Sequence, residues 1–126
     1  MIKNNFKGVF TVYRINSYKF GQIEINNQSY QNDVIIYPDQ LKDNWWRNEG
    51  HRLHESDIDK LSDYQPDLVI IGTGASGRMK VDHKLKQYFD EHNIKYYIST
   101  TNDAVKKHNE MIDKKQQVLT ALHLTC

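Results

Sequence analysis

Apolar and polar residues keep two different rhythms along this chain, and the change falls near residue 56. Before it, the pattern is that of strands. Residues 9–15 are rich in β-branched and aromatic side chains. In "FGQIEIN", Gly21, Ile23 and Ile25 alternate with Gln22, Glu24 and Asn26, the period-two mark of a half-buried strand. Asn26, Asn27 and Gln28 supply turn chemistry, and "DVIIYPD" resumes the strand until Pro38 stops it. "LKDNWWRNEGHRLHESD" then holds no sustained period and reads as a long connection interrupted by Gly50.

Beyond residue 56 strand and helix patterns alternate. A short helix with Ile58 and Leu61 on one side is predicted to end before Pro66. "PDLVIIGT" is a bounded apolar strand of the kind buried on both faces. Asp82 is placed to cap a helix whose inner face is Leu85, Tyr88, Phe89 and His92, with Asn93 closing it. "IKYYIS" is the next strand. A second helix, entered through Thr100 or Thr101, presents Ala104, Val105, His108, Met111 and Ile112. In the last strand, "QVLTALHLT", Val118, Thr120, Leu122 and Leu124 face one way. Residues 67–99 therefore form a βαβ unit with parallel strands and a right-handed crossover. The expected fold is α/β: a single compact domain over residues 1–126, its mixed sheet built from an N-terminal antiparallel part and a βαβαβ part flanked by helices. Both parallel strands end at one edge, which brings loop 72–81 beside the turn at 99–102, where open α/β sheets tend to bind ligands.

Composition narrows the function. At 126 residues the chain is one domain by size, long enough to bury about two thirds of its unfolded surface without a metal or disulfide staple. Its 17 Lys and Arg against 16 Asp and Glu leave a formal charge of +1, which argues against a nucleic-acid footprint or an anionic membrane. The single cysteine, Cys126, allows no internal disulfide and fits a reducing compartment. "MIKNNFKGVF" has no signal-peptide core, and no apolar run approaches a membrane span. A cytoplasmic location is the expectation.

The chemistry gathers at "LVIIGTGASGRMK", where Gly72, Gly74 and Gly77 spell GxGxxG directly after a strand. A dinucleotide turn requires its helix to start inside the glycine motif, with N–H groups aimed at the pyrophosphate. Here the cap, Asp82, comes five residues after Gly77, and the following strand ends in Ser99, Thr100 and Thr101 with no ribose-binding acid. The dinucleotide reading fails on both counts, and no cofactor is expected. Two readings stand. The glycines let the chain turn sharply off a buried strand, or "SGRMK" adds a hydroxyl and two cations to a nest of backbone N–H groups suited to a carboxylate, phosphate or sulfate.

Phe20-Gly21, "DVIIYPD", "WWRNEGHRL", Asp57, "PDLVIIGTG", Asn93-Ile94, Ala104, Asn109 and the final "LHLTC" together resemble a small α/β family long labelled a domain of unknown function. It includes archaeal and bacterial single-domain proteins, the cytosolic adipogenesis-associated proteins of animals and the mitochondrial complex I assembly factor 3 group. The resemblance covers roughly residues 17–126, and "PDLVIIGTG" with the upstream Trp-Arg and Gly-His pairs is its most specific part. It implies a compact α/β fold with a mixed sheet. It brings no agreed activity and no catalytic residues, while the eukaryotic members imply roles through protein contacts. No mitochondrial targeting extension is seen, so complex I assembly is a poor default.

The leading expectation is a non-enzymatic binding or regulatory module. Its ligand is a small anion, or a protein partner, held by Gly72, Thr73, Gly74, Ser76, Arg78 and Lys80 with Thr100 and Thr101, and covered by Arg47 and His51. Trp45 and Trp46 are either packing residues or a partner hot spot of the Trp/Arg type. The alternative is an enzyme acting on a small anionic metabolite in the same cleft, with His51 as the acid–base group. His51 and His54 lack the companions a zinc site needs, so no metal is expected. His108 and His123 read as packing residues, and Cys126 as a packing or redox-sensitive thiol before a nucleophile.

Overall fold

The computed structural model describes residues 12–126. The part of the expected first strand at 9–11 lies outside the described residues. Strand β1 is Ile15–Lys19, β2 Gln22–Ile25 and β3 Gln28–Tyr30, an antiparallel meander turned through Asn26 and Asn27, both at positive φ. Then come β4 (Val34–Ile36), β5 (Leu41–Lys42), β6 (Arg52–Leu53), β7 (Leu68–Gly72), β8 (Lys80–Val81), α1 (His83–Glu91), β9 (Tyr96–Ser99), α2 (Thr101–Asp113) and β10 (Val118–Leu122). The main sheet runs β5-β4-β10-β7-β9, with β10, β7 and β9 mutually parallel and β4 antiparallel to β10. This is the small mixed α/β architecture read from the pattern.

Alternation along β7 assigns the two faces. Val69 and Ile71 join Leu85 and Phe89 of α1, together with Trp45, Leu53, Ile58, Leu61 and Met79 from the connections. Leu68 and Ile70 join Ala104 of α2 and Ile15, Ile23 and Ile25 of the meander. The two crossover helices thus cover opposite faces of the sheet. Phe89 is fully buried, a change worth about 2–3 kcal/mol for a side chain of that size.

Three local expectations are corrected. Ile58 and Leu61 belong to no α-helix: the segment makes two single 3-10 turns, Glu55–Asp57 and Leu61–Asp63, separated by Lys60 at φ 61°, and Pro66 leaves no room for a longer run. The connection after Pro38 is not devoid of pairing, since it contributes β5 and β6, the latter parallel to β8 through Arg52–Lys80 and Leu53–Val81. His92 is not on the inner face of α1. It is the exposed C-cap, because Asn93 at φ 57° ends the helix after nine residues.

Candidate functional site

Strands β7 and β10 are paired in register up to Gly72 and Leu122, so they end together, and β9 ends beside them at Ser99. What leaves these three ends is tied into one knot. The Thr73 N–H and hydroxyl both donate to the Ser99 carbonyl at 2.9 Å. The Gly74 N–H donates to Thr101 Oγ1 (2.8 Å), the Thr101 N–H to the Gly74 carbonyl (3.1 Å), and the Thr101 hydroxyl to the His123 carbonyl (2.6 Å). Loop 72–80 and the turn at 99–101 are neighbours, as the parallel crossover requires.

The same knot changes the role of the glycines. The Ala75 N–H donates to the Thr125 carbonyl (2.7 Å) and the Arg78 N–H to the Cys126 carbonyl (3.0 Å), while Gly77 and Met79 donate within the loop. The carbonyls of the last two residues thus lie where a nest would hold an anion. Gly72, Thr73, Gly74 and Thr101, expected as ligand donors, have their N–H and hydroxyl groups engaged within the protein. Ser76 is the one residue of 73–80 whose N–H meets no acceptor among the described residues. Strand β8 and the Asp82 cap, which accepts from the Lys84 N–H at 3.1 Å, separate the loop from α1, so the helix N-terminus is withdrawn from the glycines.

A second knot holds the long connection. Asp33 and His123 sit one step beyond the Val34–Leu122 pair of the β4–β10 ladder, which places their side chains opposite each other on one face. Asp33 Oδ2 lies 2.8 Å from His123 Nδ1 and accepts from Arg47 Nη1 at 2.8 Å, and Oδ1 accepts from the Leu124 N–H at 2.7 Å. Burial pushes the Asp33 carboxyl up, but the hydrogen bonds from His123, Leu124 and Arg47 outweigh it and hold the group below the ordinary carboxylate value. Arg47 also donates to the Gly50 carbonyl (2.9 Å from Nη2) and stacks on Trp45, 4.7 Å from the ring centroid. Arg47, expected as a cover for the ligand, is instead a buried clamp whose charge is matched by Asp33. Of the two uses left open for Trp45, packing is the one that its surroundings match: it is 4% exposed and its Nε1–H donates to the Asp57 carbonyl at 2.8 Å.

The side chains left facing solvent are Ser76, Arg78, Lys80 and His51, with Thr100 half-buried. The Lys80 N–H donates to the His51 carbonyl (2.7 Å), which sets the two backbones side by side. The His51 ring also stands edge-on to His123, centroids 5.9 Å apart at 71°. Trp46 is 74% exposed. Among the described residues neither Arg78 nor Lys80 takes part in an ion pair, and no group of three or more His, Cys, Asp or Glu could hold a metal ion. Two cavities lie elsewhere. One of about 820 Å³ opens between Asp67, Phe89, Asn93 and Tyr96, and one of about 330 Å³ between Tyr13, Tyr37, His108 and Ile112. Neither includes a residue expected at the site.

Sequence reasoning passed over Asp33 and took His123 as a packing residue. They are 90 positions apart, and only the pairing of β10 with β4 joins them. The one available signal was polarity: an acid and an imidazole each abut a run of apolar strand residues.

Fold and site define a small α/β domain whose parallel strands end in a rigid, cation-bearing edge. The chain belongs to the family described as a protein of unknown function (DUF498/DUF598), which it matches over residues 15–123. Solved structures share the fold. A conserved hypothetical protein of Pyrococcus horikoshii is 22% identical, with 90% of this chain and 99% of that one covered at a TM-score of 0.74. A Xanthomonas campestris protein is 19% identical, with 98% and 92% covered at 0.78. A Bordetella pertussis protein described as an Mth938-like domain is 14% identical, with 98% and 92% covered at 0.61. Among the described residues, no helix is long and apolar enough to cross a membrane.

Proposed function

We propose that this chain is a non-enzymatic binding module that holds a small anion at the rim formed by Ser76, Arg78, Lys80 and His51. One observation carries the reading: two cations outside any ion pair of the described residues, and one hydroxyl, stand on a loop whose backbone is already fixed by the Thr101, Thr125 and Cys126 contacts. Binding there orders little that is not ordered beforehand, which removes much of the entropic cost of holding a ligand. The anion is bound by side chains and the Ser76 N–H, not by the glycine amides. The exposed Trp46 ring supports a second use, as the anchor for a protein partner.

Thermal unfolding in phosphate, sulfate, carboxylate and nucleotide solutions tests the reading. A ligand at one hundred times its dissociation constant stabilises the fold by about 2.7 kcal/mol, which for a domain of this size is a rise on the order of 10 °C. Wild type should show the rise with at least one anion class, and Arg78→Ala should lose most of it. No rise with any anion, or an undiminished rise in Arg78→Ala, removes the rim as a binding site.

A further inference from the structure

His123 Nε2 is buried and meets no hydrogen-bond partner among the described residues. Such an atom costs the fold free energy and, in native proteins, usually has a use. Its surroundings set its chemistry. An ionised carboxylate only accepts, so the shorter, 2.8 Å contact between Nδ1 and Asp33 Oδ2 places the proton on Nδ1; arginine only donates, so the 3.1 Å approach of Arg47 Nη2 to that nitrogen is then a close contact rather than a second hydrogen bond. In its neutral form, a ring pinned in this way offers a bare lone pair at Nε2. The exposed His51 ring lies against His123, on a backbone fixed through Lys80, so a ligand reaches Nε2 only where that ring turns aside.

We propose that His123 Nε2 is a ligand-binding acceptor, which takes a hydrogen bond from an O–H of the anion held at the rim. The inference rests on the reading of that rim and deepens it: the preferred ligand is an oxyanion or carboxylate that still carries a hydroxyl. An anion of equal charge without that proton sets its own lone pairs against Nε2 and is rejected. Asp33 acts as a positioning residue, fixing the ring through Nδ1.

Two matched pairs of probes test it by thermal shift near pH 8: phosphate, which there keeps one P–O–H, against sulfate, and glycolate against acetate. Wild type should bind the hydroxyl-bearing member of at least one pair about tenfold more tightly, the worth of one well-made hydrogen bond. His123→Asn keeps an N–H for Asp33 and has nothing at the Nε2 position. It should bind both members equally, the hydroxyl-bearing member losing its advantage and the other no longer being rejected. Equal binding of each pair to wild type, which an Nε2–H donor would produce, overturns the inference and leaves the rim standing. A preference that survives in His123→Asn does the same. No stabilisation by any of the four anions overturns the rim and the inference together. Should the variant not fold, the ¹⁵N shift of His123 Nε2 in wild type decides: it should move with the hydroxyl-bearing anion and not with its partner, and an unmoved signal overturns the inference.

Discussion

At the scale of single residues, two glycines separate local from non-local demands. Gly74 stands at φ 109°, and a Cβ there would run into the Cys126 carbonyl and lie 2.8 Å from the Thr125 oxygen. Gly50 has nothing within 4 Å of the corresponding position. Gly74→Ala should therefore lose about 2–4 kcal/mol, through a strained backbone and an overpacked contact. Gly50→Ala should stay within about 0.5 kcal/mol of wild type. Urea unfolding of both variants checks this, and equal losses would show that the terminal segment is not held by the loop. The GxGxxG spacing made a sharp turn legible, because that is a local property. What the turn faces was not legible, since the carbonyls on it come from some 50 positions along the chain. The neighbours Trp45 and Trp46 teach the same lesson. Nothing in "NWWRN" tells which indole the sheet covers; the Asp57 carbonyl and the Arg47 clamp do.

Between elements, much of the docking falls to polar groups whose partners periodicity cannot name. Asn109 of α2 accepts from the Ile15 N–H at 3.0 Å and donates to the Ile15 carbonyl at 2.8 Å, supplying the partner that β1, the edge strand of its sheet, lacks on its open side. Ile15 is buried, so water does not substitute freely. Asn109→Ala should cost about 2–3 kcal/mol, the penalty for stranding two buried backbone groups. It should also speed amide exchange through β1, β2 and β3 more than through β7 and β10. Uniform acceleration would mean that the meander and the main sheet open as one unit. From sequence Asn109 entered only through a family resemblance, because a polar residue on a helix face carries no label for its partner. Strands β2, β4, β7, β9 and β10 and both α-helices were legible from their patterns, whereas the first strand was set too early, at 9–15, and β3, β5 and β6 were not read. The place of β10 between β4 and β7 was not, and neither was β8, whose two residues are too few to show a period.

For the molecule as a whole, the response to acid follows from two groups on opposite faces of β10, the buried His108 and the half-buried Asp33. On one face, His108 lies between Thr120 Oγ1 (2.7 Å from Nδ1) and the Tyr13 carbonyl (2.6 Å from Nε2), joining α2, β10 and the segment before β1. Burial pushes it down to about 4 from the ordinary 6.5, against the Tyr13 hydrogen bond and with help from Arg14. Between those values the unfolded chain binds a proton that the fold refuses, so stability is whole above about 6.5 and falls as the pH drops toward about 4. The displacement is worth roughly 3 kcal/mol. On the other face Asp33 acts lower. Its contribution is whole above the ordinary 3.8 and goes as the pH falls through its depressed folded value. Acid unfolding should therefore proceed on two legs with separate owners. His108→Gln removes the titrating ring and should flatten the stability profile between about pH 6.5 and 4 while leaving the lower leg. Asp33→Asn should weaken the lower leg while keeping the upper one, and should lower stability at neutral pH by about 3 kcal/mol, as removing one partner of a buried ion pair does. Urea midpoints across the pH range read both legs. A His108→Gln profile parallel to wild type would show that the imidazole takes up its proton alike in the folded and unfolded chain, and the upper leg would then belong to another group.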